Sequence, residues 1–545
     1  MPSDAPTIPK SPSRTRWLLY LILFVAALAR LMRLDLMPFE MDEGAACILA
    51  VKFTHYGIAP LTGVRTSLQF CNPPLFLYLI TPALWVTTDP RLAAMLFALL
   101  GTAAVYVVYR TGREFFSPAV GLLAAAMMAV SPAAIDYSRR LWGHSLIQAL
   151  APVAFYFLLR WTVGGRAKAI FWLALIVAAA QQLHFSAALW WVAAALAWWI
   201  LRPRTDGGAL IAGLALGLLG YLPFFIEQGD NGFADLKIIG QAIYRGTGQP
   251  WTFSARPLFY WFCAATDLGH NNWLQDDFGA FVAQIPFYRV TRAMAGMAWV
   301  GALAACAVAV ARGRRRGVES SSDLSFPASA LSLPALLLLW SLVPLAAFLS
   351  LRAPVVAPYF LVVYPAPFLA IAWLAVEIWQ RTDWPPKIAS IRRGVQGLVA
   401  LLIGAWMVHQ AVYNVALLVR LDREGGGKGS YVNFGLQRAA MNFIAQHALG
   451  RTVVVSEEHL DPGKGVDFRY YYLLWTFDHD LSHFFPRDRE KAEYWYVIRN
   501  VKYRIRPDFD AFLAQYPCGE FGPLRVYVIP RPGPWPTFGL APPKA

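Results

Sequence analysis

Long apolar runs constrain this chain more than any other feature. A helix needs about 20 mostly apolar residues to cross a bilayer. Eleven stretches approach that length, at 17–34, 92–109, 119–134, 145–159, 169–183, 187–201, 209–226, 293–311, 328–349, 359–378 and 395–418. Backbone in lipid has no water to bond, so such runs fold as helices. Only 15% of the residues are charged, against about a quarter in soluble domains. No small-residue cleavage site follows the first run, so it reads as a retained span rather than a removed signal. The net charge of +15 does not point to nucleic acid, because the basic residues form short clusters between the apolar runs rather than one stripe.

Those clusters set the orientation. Lys10, Arg14 and Arg16 precede the first run, Arg110 and Arg113 follow the second, and Arg160, Arg166 and Lys168 follow the fourth. Arg202 and Arg204, Arg312 to Arg316, and Arg381 to Arg393 close later runs. With the N-terminus in the cytoplasm and alternating spans, every one of these clusters falls inside, as basic loop residues do. The expected architecture is a polytopic α-helical protein of the cytoplasmic (inner) membrane with about 11 transmembrane helices. Residues 1–16 are cytoplasmic, 17–420 form the transmembrane domain, and 421–545 form a small outer-face α/β domain with a flexible Pro-rich end. The outer loops 35–90 and 227–292 are long, which in compact domains usually marks function. In the tail, Thr452 to Val455, Tyr494 to Ile498 and Leu524 to Ile529 read as strands, with helices at 434–448 and 508–515 between them. Gly425 to Gly427 reads as the linker.

The loop after the first span carries Pro38-Phe39-Glu40-Met41-Asp42-Glu43, three carboxylates within four positions of a greasy, basic chain. The apolar stretch after Asp42 and Glu43 is too short to span and reads as an interfacial helix. Its N-terminal dipole favours ionised carboxylates. A carboxylate placed there can take a proton from an incoming hydroxyl or amine; the plainer alternative is helix capping. Asn72-Pro73-Pro74 opens a second short helix that ends near Trp85. Arg139 and Arg140, at the outer end of the third run, break the positive-inside pattern. Guanidinium groups there suit a phosphate, with interfacial snorkelling as the alternative. Arg352, in the short outer turn 352–358, follows the same logic. His144, His184 and His270 lie on or near the outer face and read as structural. The five cysteines (Cys47, Cys71, Cys263, Cys306 and Cys518) show no metal spacing. A Cys47–Cys71 disulfide and separate thiols both fit.

A single N-terminal span, an outer loop with Asp-Glu, then Pro-Pro-Leu and an outer Tyr-Ser-Arg together resemble the membrane glycosyltransferases of the GT-C fold. The resemblance is to the protein O-mannosyltransferase-like branch, which includes the transferase that places aminoarabinose on lipid A. It covers roughly residues 15 to 420 and implies inverting transfer of a monosaccharide from a polyprenyl-phosphate donor to a lipid, glycan or protein acceptor. It implies Asp42 as the catalytic carboxylate with Glu43 beside it, and Arg139 and Arg352 at the donor phosphate, where Arg140 is a further candidate. Pro73 and Pro74 would position the loop, and Asp276 and Asp277 would contact the acceptor. Members often carry a charged residue or His before Pro-Pro, where this chain has Cys71-Asn72. No metal ligand is therefore carried over, and a divalent metal stays open. Expelling a lipid phosphate needs positive charge, which arginine can supply.

Three other readings remain: a lipid or oligosaccharide transporter or flippase, a lipid-linked oligosaccharide polymerase or ligase, and a non-catalytic scaffold. A transporter would carry ionisable residues within its spans or repeated broken helices; the sequence shows few of the first and no repeat.

Overall fold

The computed structural model describes residues 13–66, 69–245, 254–268, 274, 277–319, 328–350, 355–380, 389–426, 431–457, 466–486, 491–502 and 507–530. Arg352, Asp276, His270, Gly427 and the Pro-rich end at 531–545 lie outside them.

Helix α1 (Ser13–Leu31) leads through Arg33, in the left-handed region at φ 56°, into a 3-10 turn at Leu34–Leu36. Helix α2 (Met41–Tyr56) then starts with Glu40 at its cap and Asp42 and Glu43 in its first turn. It stops at Gly57, whose φ of 68° needs no Cβ. Pro74 caps α3 (Leu75–Val86), as the Pro-Pro signal implied. Phe53 of α2 packs its ring against Tyr78 and Trp85 of α3, so the two short helices of the first loop form a pair.

Helix α4 (Arg91–Phe115) and α5 (Pro118–Val130) pack closely. A Cβ on Gly112 would lie 2.5 Å from the Gly121 backbone, so glycine at both positions permits the approach. Helix α5 begins where Ser117 accepts the Val120 N–H, with proline at the first helical position. The chain bends by 63° into α6 (Pro132–Ser138) and passes through Arg139 to Trp142 into α7 (Gly143–Thr162).

Five helices among the described residues are long and apolar enough to cross a membrane, or up to eight if each bent pair is one span. Several expected runs fold as short helices, such as Ala169–Leu183, or as bent pairs such as Gly207–Leu219 with Leu222–Asp230. The chain also holds a helix of 36 residues, Ala389–Glu424, which runs from the last apolar stretch straight into the tail.

The tail forms a four-stranded sheet in the order β1-β2-β4-β3, from β1 (Val453–Glu457), β2 (Tyr494–Asn500), β3 (Cys518–Phe521) and β4 (Leu524–Pro530). β1 and β2 run parallel, and the other pairs are antiparallel. Helices Phe434–His447 and Pro507–Leu513 lie where the sequence placed them. A further helix, Phe468–Phe477, has no counterpart among the sequence expectations. Six of its ten residues are aromatic, a composition common in strands. Its start is fixed by Asp467, which accepts the Arg469 N–H at 2.8 Å. One apolar core runs without interruption from the membrane helices through Phe39, Phe434 and Tyr472 to Val455 of β1. All five cysteines are free thiols, so the Cys47–Cys71 pairing does not form.

Candidate active site

The carboxylate loop is braced from the far end of the chain. The Tyr431 hydroxyl donates to the Leu36 carbonyl at 2.7 Å, and the Phe434 N–H donates to Met37 at 3.1 Å. The Gln437 amide donates to the Phe39 carbonyl at 2.9 Å. Backbone buried without partners is costly; residues 36–39 find theirs in the first helix of the tail and the segment before it. Phe39 is fully buried, edge-on to Phe434 at 5.5 Å. This fixes where α2 begins.

At that start the three carboxylates have different partners. Arg140 donates from Nε to Glu43 at 2.5 Å and from Nη2 to Glu40 at 3.4 Å. Glu43 is fully buried and its second oxygen accepts the Glu40 N–H at 3.2 Å, closing the helix cap. Arg140 lies over the Trp142 ring at 4.4 Å. Asp42 is half-buried, and the Trp142 side chain hydrogen-bonds to it. Burial raises the Asp42 carboxyl above the ordinary aspartate range, the Arg140 charge pulls it back down, and Glu40 adds to the rise. Burial likewise holds Glu43 high, at about 7, against the opposing pull of Arg140. Both carboxylates keep Arg140 firmly charged despite its burial. The result is a buried arginine held by two glutamates, with an aspartate at its edge that is reachable from solvent.

The neighbouring Arg139 points elsewhere. It is 1% exposed and donates to the carbonyls of Ala29 at 3.2 Å and Arg33 at 2.7 Å. These are carbonyls at the α1 C-terminus, where a cation completes the unsatisfied helix end. Asp136, one turn before Arg140 on α6, is a buried carboxylate that the sequence reading passed over. Its place four residues before Arg140 was the available signal.

A stack of rings continues from Trp142. His144 lies 3.8 Å from the Trp142 ring and 3.9 Å from His184. His184 in turn is 4.7 Å from Tyr359 and shares a 2.6 Å hydrogen bond between Nδ1 and the Ser186 hydroxyl. Three separate helix ends thus meet in one ring stack that starts at Trp142. Tyr359 follows Arg352 by seven positions.

Pro73 and Pro74 are buried at the start of α3. Asp277 is 9% exposed at the start of the helix Phe278–Ala283, whose Phe281 packs in a cluster with Leu36, Tyr413 and Tyr431. Among the described residues no three His, Cys, Asp or Glu side chains gather to hold a metal ion. Between Glu40 and Glu43, where a cation would be sought, stands Arg140.

Residues 71–226 match a family model described as dolichyl-phosphate-mannose-protein mannosyltransferase. No curated protein sequence matches the chain. Among solved structures, ArnT from Cupriavidus metallidurans in the apo state superposes with a TM-score of 0.53 at 14% identity, over 95% of this chain and 98% of that one. The same protein bound to undecaprenyl phosphate gives 0.52 at 13% identity with the same coverage. The apo oligosaccharyltransferase of Archaeoglobus fulgidus gives 0.48 at 12% identity, over 90% of this chain and 70% of that one. The chain is an integral membrane protein with the GT-C fold.

Proposed function

We propose that this protein is an inverting glycosyltransferase that moves a monosaccharide from a polyprenyl-phosphate donor to an acceptor hydroxyl or amine at the outer face of the cytoplasmic membrane. The observation that carries the reading is the division of labour among the three clustered acids. Arg140 engages Glu43 and Glu40, which leaves Asp42, half-buried like Glu40, as the acid of the three that is not ion-paired with Arg140. The family model over residues 71–226 and the fold shared with an undecaprenyl-phosphate-bound protein point the same way.

In this mechanism Asp42 accepts the proton as the acceptor oxygen or nitrogen attacks the anomeric carbon. The bond to the lipid phosphate breaks, and the phosphate departs with the bonding electron pair. The Trp142 side chain, hydrogen-bonded to Asp42, orients the carboxylate. Arg140 keeps positive potential at the site. Arg139, whose described contacts complete helix α1, serves the scaffold, and the departing phosphate falls to Arg352 in the outer turn. Asp276 and Asp277, which the sequence places in the outer loop 227–292, would act on the acceptor side. The Asp42→Asn variant tests the base. A positioned base contributes about 10²–10⁴ in rate, so sugar transfer in membranes carrying normal amounts of the variant should drop by that factor. Undiminished transfer would remove Asp42 from the reaction. Lipid movement across the bilayer without any transfer by the native chain would favour the flippase instead.

A further inference from the structure

Beyond the reaction centre, α2 borders a groove of about 360 Å³, within the range of about 300–1,000 Å³ typical of small-molecule sites. One wall is α2, through Lys52 and Tyr56; the other is the tail helix and the segment after it, through Tyr471, Trp475, His479 and Phe485. The rings are ordered. The Trp475 indole N–H donates to the Tyr56 hydroxyl at 3.3 Å, and the His479 ring lies 4.3 Å from the indole. Tyr471 and Phe485 stack at 5.5 Å. Lys52, Tyr56 and His479 are exposed, and among the described residues the lining includes no carboxylate.

Resting on the reading of Asp42 as the base, we infer that this groove holds the saccharide part of the acceptor. Flat rings with polar edges are amphipathic. A pyranose matches them with an apolar C–H face and a rim of hydroxyls. An acyl chain would set the exposed Lys52 ammonium against hydrocarbon, at a cost in free energy. Lys52 lies ten residues beyond Asp42 on the same helix, about 15 Å at 1.5 Å per residue. An acceptor of several linked sugars has the length to cover that separation.

The test is ligand-observed saturation-transfer NMR on the full chain in nanodiscs. The probes are synthetic di- and trisaccharides of neutral hexose, N-acetylhexosamine and phosphorylated hexose. The native chain and the Asp42→Asn variant should give equal saturation, and Tyr471→Ala and Lys52→Ala should each weaken binding about ten-fold, the upper end of what one ring contact supplies. Saturation no greater than with empty nanodiscs, or binding indifferent to both substitutions, overturns the proposal. So does native mass spectrometry showing a co-purified acyl lipid that both substitutions release. If Asp42→Asn leaves transfer intact while Tyr471→Ala still abolishes saccharide binding, the base assignment fails and the groove stands.

Discussion

Two arginines in this protein have nearly the same surroundings. Arg140 sits between Glu43 at 2.5 Å and Glu40 at 3.4 Å and lies over the Trp142 ring. Arg469 sits between Asp467 at 2.8 Å and Glu457 at 3.8 Å and lies over the Tyr470 ring. Both guanidiniums are buried, and in each cluster burial holds one glutamate at about 7 against the pull of its arginine. The two clusters stand back to back across Gly44, where a Cβ would come within 2.5 Å of the Arg469 backbone. What separates them is a third acid. Asp42 stands half-buried at the edge of the first cluster, whereas the second ties the tail helix to β1. The presence of this third acid is what sets the proposed reaction centre apart from a purely structural ion pair.

The largest way to break the comparison is to remove each arginine in turn. Arg140→Ala and Arg469→Ala should each destabilise by about 3–5 kcal/mol, because two carboxylates lose their buried counter-charge. Thermal melts in detergent should show the two losses as similar. Transfer per folded molecule should collapse for Arg140→Ala and stay near native for Arg469→Ala. Equal transfer losses would erase the distinction.

Gly44→Ala strikes both clusters by forcing α2 away from the tail helix. Overpacking of this kind costs about 1–3 kcal/mol, read as a lower melting midpoint. Because α2 carries Asp42, transfer should fall with it. An alanine accepted without loss in either measurement would mean that the contact at Gly44 is not tight.

A smaller effect is expected at Tyr472, whose hydroxyl donates to the Thr88 carbonyl at 2.5 Å and binds the Cys47 thiol. Tyr472→Phe should lower stability by about 1 kcal/mol, with the pH profile of transfer unmoved.

The finest test is that pH profile. As the proposed base, Asp42 accepts a proton only when deprotonated, and burial holds its carboxyl above the ordinary aspartate range. Activity should therefore fall as pH drops through that raised value, above where an exposed aspartate would titrate. Arg140 pulls the Asp42 carboxyl down, so Arg140→Gln should move the acid limb of kcat/KM to higher pH. Arg469→Gln should leave it in place. A limb that does not move with Arg140→Gln would show that the titration belongs to another group.

The sequence by itself determined the membrane class. Hydrocarbon tolerates only internally bonded backbone, so runs of apolar residues leave little choice of fold. It also singled out Pro38 to Glu43 as the candidate chemical stretch, because three acids in a greasy, basic chain stand out without any structure. The main strands and two helices of the tail were legible from alternating apolar residues. Only the tertiary structure divided the labour within the motifs. Adjacent residues such as Arg139 and Arg140 look alike in a string, yet one completes the end of α1 and the other pairs with Glu43, since successive side chains leave the backbone in different directions. The tail helix with Tyr471 and Trp475 was illegible for a related reason: its many aromatic residues favour no one backbone form until Asp467 caps it and Gly44 lets it close on α2. The brace from Tyr431, Phe434 and Gln437 joins residues almost four hundred positions apart, and no local pattern encodes a contact that only chain closure brings about.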